Sequence, residues 1–272
     1  MKTKTCVITG ATSGIGYGIA KGLAAMDHEL ILIGRDQRKG QQVVEHLKKL
    51  SKASSIAYYN ADLASQKQIR QAGEEIKSKH PRIDVLINNA GVWTSKCEFT
   101  DEKIEKQFAV NHLAYFLLTH ILYPRIAQSS EGRIINIGSD SHKFGRINLD
   151  DLNLERSYHG LKAYGQSKLA NLLFTYELHR IKKHDHVSVY CVQPGLVKTD
   201  IGVKNTNPFH AFMWRLRRLG GLTPEKAAET AIHLATSPDA AGHSGLYWDR
   251  SKPKPSSQRS KNRDDAERLW KM

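Results

Sequence analysis

Short apolar runs alternate with longer amphipathic stretches along most of this chain. That rhythm constrains the fold more than any other feature. Parallel strands need a crossover of a dozen or more residues between them, usually a helix, so this alternation specifies βαβ units and a parallel sheet. Strands are predicted at 5–9, 29–33, 55–59, 85–88, 133–137 and 187–192, with a short one near 245–247. Helices are predicted between them at 15–26, 37–51, 65–79, 101–122, 160–183 and 224–236. The runs at 133–137 and 187–192 are apolar on both faces, as strands covered on both sides must be. The expected class is therefore α/β, with ligands held at the carboxyl ends of the strands.

The length of 272 residues suits one large domain spanning 1–272. No apolar run approaches the ~20 residues that cross a bilayer. The N-terminus enters a strand pattern almost at once, so neither signal peptide nor anchor is expected, and a cytoplasmic location follows. Cys6, Cys97 and Cys191 are odd in number, lack metal spacing, and read as reduced thiols.

Lys and Arg number 41 against 27 Asp and Glu, a net charge of +14. No nucleic-acid motif accompanies that charge, so nucleic acid is not an expected partner. The basic residues are spread along the chain, with one concentration in a C-terminal tail, about 249–272, at Arg250, Lys252, Lys254, Arg259, Lys261 and Arg263. With its prolines and serines, that tail reads as a solvated segment lying loosely over the domain, or as a contact for a membrane or an acidic partner.

Four turns carry nucleotide signals. Gly10, Thr12, Ser13, Gly14, Ile15 and Gly16 run from the first strand into a helix. Glycines there let the backbone approach a pyrophosphate, and the helix N-terminus offers unpaired N–H groups and a positive dipole end. After the second strand stands Arg35, where many NAD-binding proteins place an acidic residue for the ribose hydroxyls. A guanidinium there pairs with a 2′-phosphate, so NADP(H) is the preferred cofactor and NAD(H) the alternative. Asp36 reads as the cap of the next helix. Asp62-Leu63 follows the third strand, where the carboxylate either accepts from an adenine amino group or caps the helix starting near Ser65. Asn89, Ala90 and Gly91 close the fourth strand, as small residues beside a cofactor or as an ordinary turn.

Tyr164 and Lys168 sit four apart on a predicted helix, so both project from one face. A free phenol, with a pKa of about 10, is a poor base at neutral pH. A cation held close stabilises the phenolate and brings that value down.

In this order the chain resembles the short-chain dehydrogenase/reductase family across almost its whole length, from about residue 4 to 272. The matching residues are Thr9 to Gly16, Asn88-Asn89-Ala90-Gly91, Asn111, Ser139, Tyr164-Gly165-Gln166-Ser167-Lys168 and Pro194-Gly195 with Thr199. Within the family it is most similar to the retinol dehydrogenase-like branch, on Val110-Asn111-His112-Leu113, the run from Ser167 to Thr175, and Ala266-Glu267-Arg268-Leu269-Trp270. The resemblance implies a Rossmann-type, doubly wound sheet of seven strands and hydride exchange between a nicotinamide cofactor and a lipophilic alcohol or carbonyl. It assigns proton transfer to Tyr164, pKa control and ribose binding to Lys168, substrate orientation to Ser139, and a water linking Lys168 to solvent to Asn111. Pro194, Gly195 and Thr199 would meet the nicotinamide end. Subunit pairing through the helices near 101–122 and 160–183 is also implied.

Gly138 stands where the family usually has the first of two serines, which leaves Ser139 and Ser141 as rivals; the 25-residue spacing back from Tyr164 favours Ser139. His142 reads as a relay beside Ser139 or as a loop residue shaping the pocket mouth. The other histidines have no ligand spacing, so no metal is expected. Residues 196–222 are expected to cover the substrate. Within them Phe209, Phe212, Met213, Leu216 and Leu219 line one helix face opposite three arginines, which fits a lid, internal packing or a membrane surface. The rivals to an NADP(H)-preferring reductase are an NAD-dependent sterol-type alcohol dehydrogenase and a non-catalytic dinucleotide sensor.

Overall fold

The computed structural model describes residues 3–51, 55–183, 185–197 and 220–272. Thr199 and the stretch 209–219 lie outside the described residues, as does most of the expected lid at 196–222.

In chain order the elements are β1 (Thr5–Thr9), α1 (Gly14–Ala24), β2 (Glu29–Gly34), α2 (Gln37–Leu50), β3 (Ile56–Asn60), α3 (Gln66–Lys79) and β4 (Val85–Asn88). They continue with α4 (Lys106–Phe108), a π turn (Ala109–Leu113), α5 (Ala114–Ile126), β5 (Gly132–Ile137), α6 (Gly160–Ile181) and β6 (Val187–Gln193). After residue 220 come α7 (Pro224–Thr236), β7 (Leu246–Asp249), β8 (Lys252–Pro253) and α8 (Arg263–Lys271). Among the described residues no helix is long and apolar enough to cross a membrane.

The strands form one sheet in the order β3-β2-β1-β4-β5-β6-β7-β8. Among the described residues seven strands are parallel, and the eighth is a two-residue antiparallel strand on the β7 edge that the apolar pattern does not reveal. Alternate residues on each strand feed two cores. Cys6 and Ile8 of β1, with Leu30 and Leu32 of β2, pack toward α1, α2 and α7. Val7, Ile31 and Ile33 point the other way, toward α3, α5 and α6. Chain order reverses between β1 and β4, and that switch point opens a crevice at the carboxyl ends of the strands. The turns after β1, β2, β3, β4, β5 and β6 all emerge on this edge, which gathers six separate sequence signals in one place.

Two expectations differ from the structure. The helix predicted at 101–122 begins later, because the Glu105 carboxylate caps it by accepting from Gln107 N and Phe108 N, and Lys103 takes a positive φ just before. It is then interrupted by the π turn and runs on to Ile126. The basic tail is not loosely laid over the domain. Ala266, Leu269 and Trp270, at helical spacing, pack inward from α8. Trp270 stacks on Phe174 at 5.8 Å and stands edge-on to Phe116 at 5.0 Å. It thereby takes up part of the face that the resemblance assigns to a second subunit.

Candidate active site

The turn after β1 is locked to the turn after β4. The Thr9 hydroxyl accepts from Asn89 N at 2.8 Å and Ala90 N at 3.0 Å, and the Asn89 side-chain amide donates back to Thr9 O at 2.8 Å. Gly10 has φ +66, and a Cβ there would lie 2.9 Å from Ala90 Cα. A Cβ on Gly16 would lie 2.3 Å from Gly10 O. Side chains at these two positions would push α1 and the turn after β4 away from the turn after β1.

A cavity of about 390 Å³ lies in front of the α1 N-terminus. Gly10, Thr12, Ser13, Gly14 and Ile15 line it from β1, and Arg35 and Asp62-Leu63 from β2 and β3. Asn89, Ala90 and Gly91 line it from β4. Arg35 is exposed at its rim. Asp36 caps α2 by accepting from Lys39 N at 3.0 Å, as the sequence indicated. Asp62 is not the cap of α3; Ser65 is, and Asp62 instead closes its own turn on Ala64 N at 2.9 Å. Val92, Trp93, Thr94, Lys106 and Pro224 also line the cavity and carried no sequence signal; Val110, of the run that carries the resemblance, lines it too. The shape of the cavity and the helix N-terminus that borders it fit a dinucleotide.

At Gly91 the cavity meets a second group of residues. Asn111 is fully buried in the π turn; its amide donates to Val92 O at 3.0 Å and accepts from Val92 N at 2.7 Å. The same amide donates to Ser167 Oγ at 3.1 Å, and Ser167 Oγ donates to Tyr164 O at 2.8 Å. The Asn111 carbonyl accepts from Asn171 Nδ2 at 2.8 Å. Asn111 therefore ties the loop after β4 to the helix that carries Tyr164 and Lys168.

Lys168 is buried at 3% exposure, donates to Ile137 O at 2.9 Å, and lies 5.7 Å from the Tyr164 ring centroid and 5.8 Å from that of Tyr115. Burial lowers its ammonium to about 8. Tyr115 anchors the cavity wall from below by donating to Ala90 O at 2.9 Å, a role the sequence gave no sign of. Tyr164 departs from the expectation of a lowered phenol. Burial pushes it up to about 12, and the pull the other way is the Ser139 hydrogen bond rather than the Lys168 charge.

That contact also brings Ser139, of the two rival serines, to the phenol. Ser139 Oγ accepts from Ser141 N at 3.1 Å and caps the short turn Asp140–Lys143. Pro194 and Gly195 follow β6 beside this group, and Gly195 has φ +82. Beyond them Leu222 N donates to Leu196 O at 2.7 Å, joining the two ends of the expected lid.

With this geometry in view, the comparisons with known proteins are decisive. The pattern of the short chain dehydrogenase family matches residues 4–208. The chain belongs to that family. It is 35% identical to human retinol dehydrogenase 14, over 99% of this chain and 85% of that one. It is 37% identical to human retinol dehydrogenase 13, over 98% of this chain and 82% of that one. Among solved structures, an uncharacterized protein from Mycobacterium paratuberculosis superposes with a TM-score of 0.78 at 29% identity, over 98% of this chain and 91% of that one. A short-chain dehydrogenase from Sphingobium yanoikuyae in complex with NADPH superposes with a TM-score of 0.68 at 26% identity, over 85% of this chain and 84% of that one. This chain is thus a retinol dehydrogenase-like short-chain oxidoreductase, a nicotinamide-dependent enzyme of alcohol and carbonyl groups.

Proposed function

We propose that the enzyme prefers NADP(H) and reduces lipophilic aldehydes or ketones, with Tyr164 as the proton donor. The observation that carries this reading is the convergence of Tyr164, Ser139 and Lys168, tied through Asn111 and Tyr115 to the loop at 90–92 that lines a cavity holding Arg35 at its rim. The nicotinamide, when bound, supplies the hydride. The remaining work falls to the chain. As the carbonyl oxygen gains negative charge, the Ser139 and Tyr164 hydroxyls donate to it. Tyr164 then gives up its proton. A phenol raised to about 12 is protonated at neutral pH, the form that donates. Lys168 holds positive charge beside the ring, and in this reading it also bonds the nicotinamide ribose.

Arg35, exposed at the adenosine end, supports the phosphate-bearing cofactor. The lipophilic substrate class is supported by apolar residues left exposed around Tyr164. Phe144 is 58% exposed and packs beside Gly165; Leu161, 39% exposed, lies one helical turn before Tyr164. Retinol and polyprenol, the alcohols named for relatives of this chain, are both lipophilic.

The test is NADPH oxidation followed optically against a panel of aldehydes, ketones and quinones, with Tyr164→Phe alongside. Turnover is expected with bulky apolar carbonyls, and the variant is expected to lose at least about a hundredfold in kcat. Unchanged turnover in the variant would remove Tyr164 from the chemistry.

A further inference from the structure

His142 lies in the turn that starts at Ser139, yet it is fully buried. Both ring nitrogens are engaged. The backbone N–H of Ser257 donates to Nε2 at 3.1 Å, and Nδ1 stands 2.7 Å from the Ser139 carbonyl oxygen. A backbone N–H only donates and a carbonyl only accepts. The two partners therefore fix the tautomer: Nδ1 carries the proton and donates to Ser139, while Nε2 offers its lone pair to Ser257. An imidazolium carries N–H on both nitrogens, so protonation sets two donors against each other at Ser257.

The contact at Ser257 belongs to a longer attachment. Lys254 Nζ donates to the Asp140 carboxylate at 3.0 Å, and the Tyr247 hydroxyl donates to the same group at 3.1 Å. Tyr176 donates to Ser256 Oγ at 2.7 Å, and Arg259 donates to Gly145 O at 3.2 Å. The C-terminal segment thus grips the whole turn 139–145, and through His142 it reaches the backbone of the serine itself.

We propose that neutral His142 is a positioning residue for Ser139, transmitting the docking of the C-terminal segment at Ser257 to the serine's carbonyl and releasing it when the ring is protonated. This rests on the reading of Ser139 given above. The role is neither a proton relay nor a solvated pocket mouth. The ring is buried, and its Nδ1 proton is committed to a carbonyl.

The ring is faced by Asp140 and Lys143 from its own turn, Lys254 from the tail and Tyr247 from β7. Tyr176 of α6 and Cys191 of β6 pack around Tyr247 behind it. Burial is the strongest influence and holds the imidazole below its ordinary value; the Ser139 carbonyl and Asp140 pull the other way. A lowered value keeps the ring neutral, and the bond intact, at neutral pH. The bond is lost only as pH falls below the ordinary histidine range.

The experiment uses the full chain. Long-range ¹H–¹⁵N spectra of the histidine rings, assigned with His142→Asn, report the tautomer and its titration. Reduction rates are then measured from about pH 8 to about pH 5. In the reduction direction Tyr164 donates, so its own ionisation limits the alkaline side and leaves the acid side to other groups. The expected result is an Nδ1–H ring whose titration midpoint reappears in kcat, with NADPH affinity unchanged. His142→Asn keeps a donor for Ser139 but does not titrate, so the acid limb disappears. Ser257 has φ −68, which proline adopts, and Ser257→Pro removes the N–H; kcat is expected to fall about ten- to hundredfold with KM little changed.

An Nε2–H tautomer, a kcat flat through the His142 titration, or a wild-type rate in Ser257→Pro would each overturn the coupling. Full activity in Ser139→Ala would instead overturn the serine's role. If Ser139→Ala is inactive while Ser257→Pro is fully active, the serine stands and the coupling falls.

Discussion

Gly138 shows how one missing side chain is matched by its neighbour. The position is buried at the end of β5, and an added Cβ would lie 2.6 Å from the Cys191 thiol on β6. The sequence made Gly138 visible as a departure from the family's serine, but not its partner, because strand pairing alone brings residue 191 beside it. Gly138→Ser is expected to destabilise the chain by about 2 kcal/mol through overpacking, and Cys191→Ala to restore most of that loss. Urea unfolding of the two single variants and the double variant measures the coupling; additive effects would mean that the thiol is not what fills the gap. At the cavity's rim, Arg35 was legible from its place after β2 alone. Arg35→Ala is expected to raise the KM for NADPH about tenfold while leaving that for NADH nearly unchanged. Initial rates with both cofactors check it, and an equal loss with both would remove the guanidinium from phosphate recognition. The Tyr164 phenol was legible in kind but not in pKa, since sequence spacing shows which groups are neighbours and not how deeply they are buried.

Element boundaries were legible where apolar pattern and cap agree, as at β1, β4 and α7, whose start is fixed by Thr223 accepting from Lys226 N. They were not legible where a tertiary contact decides. Nothing in the run 101–105 announces that Glu105 folds back to cap α4, and the stripe of Ala266, Leu269 and Trp270 is diluted by the charges between. The far end of α7 makes the same point. Arg133, buried in β5, donates to Leu234 O and Ser237 O at 2.7 Å each, and Lys4 donates to Ala235 O at 3.1 Å. Two cations thus take up carbonyls at the negative end of the helix dipole. The other end of α7, at Pro224, borders the cofactor cavity. Arg133→Met is expected to cost about 3 kcal/mol, because it strands one buried and one half-buried carbonyl that were bonded to a charge. Lys4→Met removes one such bond from a less buried group and is expected to cost about 1 kcal/mol. Denaturant midpoints rank the two, and equal losses would mean that Arg133 contributes packing alone.

At the scale of the molecule, the parallel sheet and its ligand edge followed from the alternation of apolar runs. The polar column that crosses the protein behind the site did not. Asn88 on β4 donates to Asn136 Oδ1 on β5 at 2.9 Å, Asn136 donates to Thr175 at 3.0 Å, and Thr175 donates to Asn171 O at 2.7 Å. Asn171 continues to Asn111 and, through its Oδ1, to His112 Nδ1 at 3.2 Å. Since the Asn171 amide nitrogen donates to Asn111, its oxygen is the acceptor and His112 Nδ1 carries a proton. His112 is 2% exposed, and burial holds its imidazole at about 4, against which the Asn171 bond is the weaker pull. A charged ring is therefore disfavoured in the fold but not in the unfolded chain. Between about pH 6.5 and about pH 4 the unfolded chain binds the proton that the native state refuses, so stability falls with pH across that window. Because the shift is large and the ring fully enclosed, His112 alone is expected to account for about 3 kcal/mol of the loss. His112→Asn keeps a donor toward Asn171 and does not titrate. It is expected to start less stable at neutral pH, from lost packing against Phe108 and Phe174, and to have a shallower dependence below about pH 6.5. Urea unfolding at several pH values separates these terms, because repulsion from the net charge of +14 and the titration of carboxylates are common to both proteins. Parallel stability curves would mean that the ring takes up a proton inside the fold without breaking the column.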